Sequence, residues 1–322
     1  MTKQDLKIVF LGTPDFAVES LNRLVEGGYN VVGVVTMPDK PAGRGHKLLQ
    51  SPVKQYALAN GLHLMQPVKL KDQHFVDELR SLEADLFIVI AFRMLPEIVW
   101  SMPRLGTFNL HASLLPRYRG AAPINRAVMN GDTETGVTTF MLKHEIDTGD
   151  ILRQERIEIR PEDNVGDVHD RLMSLGADLT IDTVEHIIAG DLKPLPQDAL
   201  IGEVEPTPAP KIFAEDMEIH WDNSAVEIHN LVRGLSPYPA ARARFVTPDG
   251  EEQVKIYRTA VTGSSAEGRP GQIRIDGNQM TVSTGDGQIE ILEMQPAGKK
   301  RMAVADYLRG ARQIAGSFAV LA

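Results

Sequence analysis

Hydrophobic and polar positions follow two different patterns along the first half of the chain. Continuous apolar runs rich in β-branched residues are typical of strands buried on both faces of a parallel sheet. They occur at residues 7–12, 31–36, 86–91 and 136–142. Between them, apolar residues recur at helical spacing, which predicts helices at residues 17–25, 51–60, 72–82 and 125–129. This order of elements predicts an α/β fold class with a Rossmann-like, doubly wound, mostly parallel sheet.

A proline-rich segment follows the last helix of this pattern. That helix is predicted at residues 164–188, because Asn164 with Asp167 three residues later forms an N-cap pattern and Gly190 follows it. Prolines then stand at positions 194, 196, 206, 208 and 210. They exclude a helix or a central strand and favour a stiff, extended connection. We therefore predict a first domain at residues 1–190, a Pro-rich linker at 191–208 and a second domain at 209–322.

The pattern of the second domain is different. A short helix is predicted at residues 224–233, and strand-like runs separated by turn residues come after it. This spacing is typical of a small all-β domain. The predicted strands are residues 241–246, 254–260, 271–275, 279–283 and 288–293.

Composition narrows the class of protein. The 322 residues are 43% hydrophobic and 24% charged, as in ordinary globular proteins. The chain has no cysteine, which excludes disulfides and thiolate metal sites and fits a reducing compartment. The N-terminus does not resemble a signal peptide and no stretch is long enough to cross a bilayer, so we expect a cytoplasmic protein.

The net charge of −9 argues against general nucleic-acid binding, which depends on a strong positive field. The charge is uneven, however. Residues 209–322 carry 13 Lys and Arg against 14 Asp and Glu, so the excess negative charge lies almost entirely before them. A nucleic-acid partner would therefore need local basic patches. The candidates are Arg242 with Arg244, the run at residues 299–301, and the cluster of Lys40, Arg44 and Lys47.

Candidate chemistry is concentrated in three residues. Asn109 and His111 end an apolar run, and side chains two positions apart on a strand point to the same face. Asp147 lies in a glycine-containing loop, residues 146–150, which can reach the same carboxyl edge of a parallel sheet. An amide can hold an oxyanion, an imidazole can move a proton, and a carboxylate can orient the imidazole. A lone histidine is more often structural, but this combination predicts a catalytic site.

Other chemistries are disfavoured by the motifs. The turn at residues 12–16 lacks the G-x-G-x-x-G pattern of dinucleotide-binding proteins. The nine histidines have no H-E-x-x-H or comparable spacing, so we predict no metal. With no cysteine and no serine–histidine elbow, no covalent enzyme intermediate is required.

Several motifs resemble the folate-dependent formyltransferases. These are the Asn109–His111 pair, the Ser113-Leu114-Leu115-Pro116 sequence, Arg119-Gly120, and the Asp147 to Asp150 sequence. Residues 10–16 and 233–239, with Trp221, resemble most closely the members of that family that act on initiator methionyl-tRNA, and the resemblance covers nearly the whole chain. The catalytic signature alone leaves open glycinamide ribonucleotide formyltransferases, sugar formyltransferases, and formyl-tetrahydrofolate hydrolases or dehydrogenases.

The resemblance implies a formyltransferase catalytic domain at residues 1–190 and an OB-like, tRNA-binding β-barrel at 209–322. It implies 10-formyltetrahydrofolate as formyl donor, initiator methionyl-tRNA as acceptor, and Asn109, His111 and Asp147 as catalytic residues. We expect a monomer, since no coiled-coil pattern is present. The implied folate contacts are Phe92, Arg93, Met94, Leu95, Ser113, Leu114, Leu115, Pro116, His144 and Asp150. The implied tRNA contacts are Lys40, Arg44, Lys47, Arg242 and Arg244.

The sequence differs from the family pattern in two places. Phe92-Arg93-Met94 is one residue shorter than the Ala-Tyr-Gly segment of many relatives, and Glu145 or Ile146 stands where a small residue is usual. Formyl transfer to an amino sugar or another small amine, hydrolysis of formyltetrahydrofolate, and tRNA binding without catalysis remain alternatives. The catalytic trio argues against the last, because a binding module has no need of it.

Overall fold

The computed structural model describes residues 1–42, 47–202, 204–248, 250–310, 314 and 317–322. The chain forms two compact units, and each is discontinuous in sequence. The first unit comprises Met1–Gly120, Thr135–Ile157 and His169–Pro208. The second comprises Ala121–Glu134, Glu158–Val168 and Ala209–Ala322.

A seven-stranded sheet forms the centre of the first unit, in the order β10-β9-β7-β6-β1-β2-β5. The strands in the first 200 residues are β1 Ile8–Gly12, β2 Val31–Val35, β3 Lys40–Ala42, β4 Lys47–Leu49, β5 Leu64–Met65, β6 Leu86–Ile90, β7 Thr107–His111, β8 Arg119–Gly120, β9 Glu134–Met141 and β10 Ile151–Glu158. The helices are α1 Asp15–Glu26, α2 Pro52–Ala59, α3 Gln73–Ser81, α4 Glu97–Trp100, α5 Pro123–Met129 and α6 Val165–Ala189.

The sheet is mostly parallel, which confirms the predicted fold class. β1 pairs with β2 and β6 in parallel, β6 pairs with β7 in parallel, and β9 runs antiparallel to β7. Every residue of β1 and β6 is buried, in agreement with their continuous apolar runs. β7 therefore lies where the parallel part of the sheet meets its antiparallel edge, and His111 is its last residue.

The start of α6 follows the predicted capping pattern. The Asn164 side chain accepts hydrogen bonds from the amides of Gly166 (2.7 Å) and Asp167 (3.2 Å). Asp167 accepts one from the Asn164 amide in return (2.9 Å), so both residues satisfy otherwise unpaired amides. The helix ends at Ala189, just before Gly190, which has a φ of +71°.

The proline-rich segment is not extended throughout. Gln197–Leu200 forms a short 3-10 helix, so the prediction that the prolines exclude a helix is wrong there. Pro196 directly precedes the first turn, where proline is tolerated because those amides lack helical partners anyway. Leu195 exchanges two backbone hydrogen bonds of 2.8 Å with Ile151, the first residue of β10. The segment therefore lies against the first unit from its beginning.

The second unit contains a curled antiparallel sheet in the order β14-β15-β16-β13-β12-β18. The Ile273 amide donates to Ser317 O (2.8 Å) and the Ala319 amide to Gly271 O (2.7 Å), so the two ends of the sheet meet. This closure confirms the predicted small β-barrel. The elements are β11 Pro208–Ala209, α7 Ala225–Leu235, β12 Ala241–Thr247, β13 Gly250–Ser265, β14 Ile273–Asp276, β15 Gln279–Ser283, β16 Gly287–Pro296, β17 Met302–Ala303, α8 Val304–Gly310 and β18 Phe318–Val320.

The core of the second unit lies between α7 and the curled sheet. Trp221, Phe245, Ile256 and Met294 are buried there with other apolar side chains. Over the ranges that the structure describes, no helix has the length and apolar character needed to span a membrane.

Candidate active site

Asn109 and His111 occupy the carboxyl end of β7, as the strand pattern predicted. Asn109 lies between Val89 of β6 and Phe140 of β9, and His111 pairs with Thr138 of β9. His111 is 7% exposed. Neighbouring strands thus fix the backbone of Asn109 on both sides and that of His111 on the β9 side.

The imidazole of His111 is held on two sides. Its Nε2 lies 2.8 Å from the carbonyl oxygen of Tyr118. A carbonyl only accepts hydrogen bonds, so the hydrogen of this bond is on Nε2. Nδ1 faces Asp147, with 3.9 Å between it and Oδ2. Nδ1 is therefore the nitrogen that can take up and release a proton.

Asp147 lies in a strained loop. Its φ is +55°, a left-handed conformation that non-glycine residues adopt only when their surroundings enforce it. Oδ2 accepts a hydrogen bond from the Gly120 amide (2.8 Å). A Cβ added to Gly149 would lie 1.6 Å from Met141 O, so only glycine fits there. The loop therefore brings the carboxylate to His111 and keeps it there.

Asn109 has an unsatisfied polar atom. Its Oδ1 is buried and has no hydrogen-bond partner among the described residues. A buried acceptor without a partner costs about 1–3 kcal/mol. Since a half-turn of the amide exchanges oxygen for nitrogen, the same position can present either an acceptor or a donor. An unpaired amide next to His111 is suited to contact a reacting group.

The segment after β7 is fixed by side-chain hydrogen bonds. Ser113 Oγ donates to Arg117 O (2.7 Å), and Thr138 Oγ1 donates to Ser113 O (2.6 Å). Leu115 is buried against Phe140 and Ile151 in a small apolar cluster. Of the proposed folate contacts in this segment, Ser113, Leu115 and Pro116 are buried, and Leu114 is half-buried.

The connection after β6 places its proposed folate contacts differently. Phe92 and Leu95 pack against the core of the first unit, whereas Met94 is 75% exposed. The Arg93 guanidinium donates to Val68 O (2.9 Å) and to Pro67 O. Burial lowers the pKa of Arg93 from its ordinary value. Arg93 therefore ties this connection to the one that precedes α3.

His144 and Asp150 lie close to Asp147 in sequence, and each contacts a charged side chain. His144 Nε2 lies 3.3 Å from Glu97 Oε1, and its ring contacts Trp100 edge-on at 5.3 Å between centroids. Asp150 Oδ1 pairs with Lys143 Nζ at 2.8 Å. These contacts lie on both flanks of the loop that carries Asp147.

One residue of the site was missed by the sequence reasoning. Gln197 donates from Nε2 to Asp147 O (2.9 Å) and to Gly149 O (2.8 Å). It belongs to the segment that the prolines marked as a linker, and a single glutamine 50 positions from Asp147 gives no local signal. Only the folded chain brings the two together.

The proposed tRNA contacts lie in two places. Lys40 is exposed on β3, which pairs with β4, where Lys47 lies; Arg44 falls outside the described residues.

In the second unit, Arg242 stands opposite Lys255 across β12 and β13. Both line a hollow of about 230 Å³. Arg244 forms an ion pair with Glu251 (3.0 Å). Among the described residues, Arg242 of β12 and Lys255 of β13 have no ion-pair partner, so the positive charge on this part of the sheet is centred on them.

Comparisons with known proteins identify the class. The formyl transferase family profile matches residues 6–184, and the profile of the formyl transferase C-terminal domain matches residues 211–312. An N-formyltransferase from Helicobacter canadensis, solved with folinic acid and dTDP-3-aminofucose, has a TM-score of 0.66 at 20% identity, over 89% of this chain and 98% of that one. HypX from Aquifex aeolicus, solved with tetrahydrofolic acid, has a TM-score of 0.63 at 19% identity, over 94% of this chain and 46% of that one. Fold and site together define a formyl transferase.

Curated relatives narrow the class further. Proteins named methionyl-tRNA formyltransferase match over nearly the full length, among them the following three. The identity is 62% in Phocaeicola vulgatus (97% of this chain, 98% of the relative). It is 58% in Bacteroides fragilis (96% of both) and 50% in Porphyromonas gingivalis (96% and 97%). The chain belongs to the methionyl-tRNA formyltransferase family.

Proposed function

We propose that the protein transfers the formyl group of 10-formyltetrahydrofolate to the α-amino group of methionine on initiator tRNA, giving N-formylmethionyl-tRNA for translation initiation. The observation that carries this conclusion is the identity of 50–62% to methionyl-tRNA formyltransferases over nearly the full length. The proposed location is the cytoplasm, because ribosomes use charged tRNA there. A monomer stays a prediction from the sequence.

The residues around β6 and β7 fit a folate. The unpaired Asn109 Oδ1 is a ready partner for a polar substrate group, and the adjoining segments supply apolar side chains for a flat heterocycle. Met94 and Ile146, which are 75% and 59% exposed, provide apolar surface on two of those segments. We propose that residues 92–95 and 113–116, with His144 and Asp150, hold the formyl donor, which supplies an activated formyl group when bound.

The proposed mechanism needs three actions of the chain. Asp147 accepts a proton from the incoming ammonium, because only the free amine can attack. Asn109 and protonated Nδ1 of His111 donate hydrogen bonds to the formyl oxygen as it gains negative charge. His111 then delivers a proton to the leaving folate nitrogen. One carbon–nitrogen bond forms and one breaks. The ammonium gives up two protons in all: the first goes to Asp147, and the second passes from the attacking nitrogen to His111, which has given its own proton to the folate nitrogen. The folate gains one proton, and Asp147 releases the other to solvent.

The distance between His111 and Asp147 bears on the proton path. At 3.9 Å, Nδ1 and Oδ2 are beyond hydrogen-bond length. A proton passing between them therefore needs a bridging water or a small approach of the two groups when substrate binds. Catalytic hydrogen bonds are often long in the free enzyme and shorten in the substrate complex.

Single-turnover transfer of labelled formyl from 10-formyltetrahydrofolate tests this function. Charged initiator tRNA is compared with free methionine, an amino sugar and glycinamide ribonucleotide as acceptors. We expect product with the tRNA alone. Transfer to a small amine, or release of formate without an acceptor, would keep the folate site but contradict the proposed acceptor.

Arg242 and Lys255 offer a test of tRNA binding by the second unit. Changing either to alanine is expected to raise KM for the tRNA about fivefold and to leave kcat unchanged, because each lost phosphate contact costs about 1 kcal/mol. Each change should also lower the slope of log binding constant against log salt concentration by about one. Filter binding at several salt concentrations measures this.

Arg274→Ala is the matched control for this test. Arg274 lies on β14 in the same unit, is exposed, and is paired with Glu267. Its loss should leave both KM and the salt slope unchanged. Equal effects of Arg274→Ala and Arg242→Ala would contradict a specific role for the Arg242–Lys255 pair.

A further inference from the structure

The segment from Leu195 to Thr207 contacts the backbone that holds both members of the His111–Asp147 pair. We propose that Gln197 and Thr207 are positioning residues for formyl transfer: Gln197 fixes the loop of Asp147, and Thr207 fixes the carbonyl that orients His111. The inference rests on the proposed function, since it assigns these two side chains a part in that reaction.

Gln197 is buried in a stretch whose other described residues are exposed or half-buried. Among the described residues of 191–208 it alone is buried, with 1% of its surface exposed. In a segment that covers the surface, an apolar residue would ordinarily provide the anchor. A fully buried amide is tolerated only where its polar atoms are satisfied. The choice of glutamine therefore points to its hydrogen bonds rather than to packing.

Both the nitrogen and the oxygen of the Gln197 side-chain amide form hydrogen bonds. Nε2 donates one hydrogen to Asp147 O (2.9 Å) and the other to Gly149 O (2.8 Å). Oε1 accepts from Arg119 Nε (3.1 Å) and Nη2 (2.7 Å). One side chain therefore joins the proline-rich segment, the Asp147 loop and the strand that follows the catalytic segment.

These bonds act on a residue with an unfavourable backbone conformation. Asp147 has a φ of +55°, and the preceding Glu145 and Ile146 are exposed and give the loop little packing. Hydrogen bonds on the carbonyls of residues 147 and 149 hold the turn on both sides of its left-handed residue. Without them, the carboxylate would move relative to Nδ1 of His111, and a displacement of about 1 Å can slow a reaction about a hundredfold.

Thr207 acts in the same way on the other member of the pair. Its Oγ1 accepts a hydrogen bond from the Tyr118 amide (2.9 Å), and its carbonyl accepts one from the Arg119 amide (3.0 Å). Tyr118 also has a left-handed φ, +61°. The Tyr118 carbonyl is the acceptor for Nε2 of His111. Thr207 therefore holds the group that orients the imidazole.

Two substitutions at each position separate hydrogen bonding from packing. Gln197→Leu removes the amide at nearly constant volume, and Gln197→Glu keeps a partner for Arg119 but cannot donate to two carbonyls. Thr207→Val removes the hydroxyl at constant shape, and Thr207→Ser restores it. Gln288→Leu is the matched control, because Gln288 is also buried (9% exposed) and donates to one carbonyl, Ser265 O, in the second unit.

The measurement is single-turnover formyl transfer from 10-formyltetrahydrofolate to charged initiator tRNA, recorded as a rate constant and an amplitude. We expect Gln197→Leu and Gln197→Glu to lower the rate constant about ten- to a hundredfold at full amplitude, since misplaced groups react slowly. Thr207→Val should lower it about tenfold on the same grounds, and Thr207→Ser should stay within about twofold of wild type. Gln288→Leu should keep the wild-type rate constant.

Each remaining outcome overturns the inference or the function on which it rests. A lower amplitude with the wild-type rate constant would mean that these residues serve folding alone. A wild-type rate constant at full amplitude in Gln197→Leu and Thr207→Val would mean that they position nothing. If Gln197→Leu does not fold, the rate constants of Thr207→Val and Thr207→Ser decide whether the inference holds. Failure of the wild-type protein to formylate the tRNA would instead contradict the proposed function.

Discussion

Replacing His111 with glutamine is expected to slow formyl transfer about a thousandfold, within the range by which general acid–base catalysis accelerates reactions. Glutamine can still donate to Tyr118 O, so the local structure should survive. It has no group that titrates near neutral pH, so it cannot carry a proton to the leaving folate nitrogen. The single-turnover rate constant with charged initiator tRNA measures the loss. KM for folate and for tRNA should change little.

His63→Gln is the control for this substitution. His63 is on the surface of the same unit, half exposed, and its Nε2 lies 3.0 Å from Glu78 Oε1. Its loss should leave the rate constant within about twofold of wild type, since exposed ion pairs contribute little. A His111→Gln protein with a rate constant within tenfold of wild type would rule out proton transfer by this residue.

The second large effect is expected for Asn109→Ala, which should lower kcat about a hundred- to a thousandfold, as loss of one oxyanion donor does in other enzymes. Asn109→Asp should be at least as slow, because a carboxylate would repel the developing negative charge. Stability should respond differently. The buried Oδ1 of Asn109 has no hydrogen-bond partner among the described residues. Replacing Asn109 with alanine therefore removes the free-energy cost of an unpaired buried acceptor. We therefore expect Asn109→Ala to retain the wild-type Tm or to exceed it.

Asn164→Ala is the matched control and should behave in the opposite way. Asn164 caps α6 through two amides, and loss of such a cap typically costs about 1 kcal/mol. Its Tm should therefore fall while the rate constant at low temperature stays normal. Thermal melts and single-turnover assays on the same preparations give both quantities. Normal kcat in Asn109→Ala would exclude the oxyanion role.

The placement of Asn109 and His111 at the carboxyl end of β7 could be predicted because its signal is local. Asn109 and His111 are two positions apart on an apolar strand, and the alternation of side chains on a strand puts them together without knowledge of the rest of the fold. The strands of the first unit were predictable for the same reason, since burial on both faces leaves an unbroken apolar run. The long α6 carries its own cap at Asn164.

The features that the sequence did not predict depend on contacts between segments that are distant along the chain. Prolines restrict only the backbone around them. They therefore predict an extended linker, but they give no indication that Gln197 donates a hydrogen bond to the Asp147 loop. The hydrogen bonds from the Arg93 guanidinium to the backbone carbonyls of residues 67 and 68 likewise join distant segments, and the local sequence does not indicate them. The strand β18, with three residues, is too short for a periodic signal.

The discontinuous make-up of the two units limits how this protein can be divided. The chain passes from one unit to the other five times, at residues 120, 134, 157, 168 and 208. Asn125 of α5 donates to Gly234 O (2.8 Å), and Arg233 donates to Asp163 O (3.2 Å), so segments from the N-terminal half complete the second unit. A fragment cut at residue 208 would strip α5 of its packing partner α7. Recombination between relatives that exchanges everything after residue 208 must therefore preserve complementary surfaces on residues 121–134 and 158–168 to give a stable chimaera.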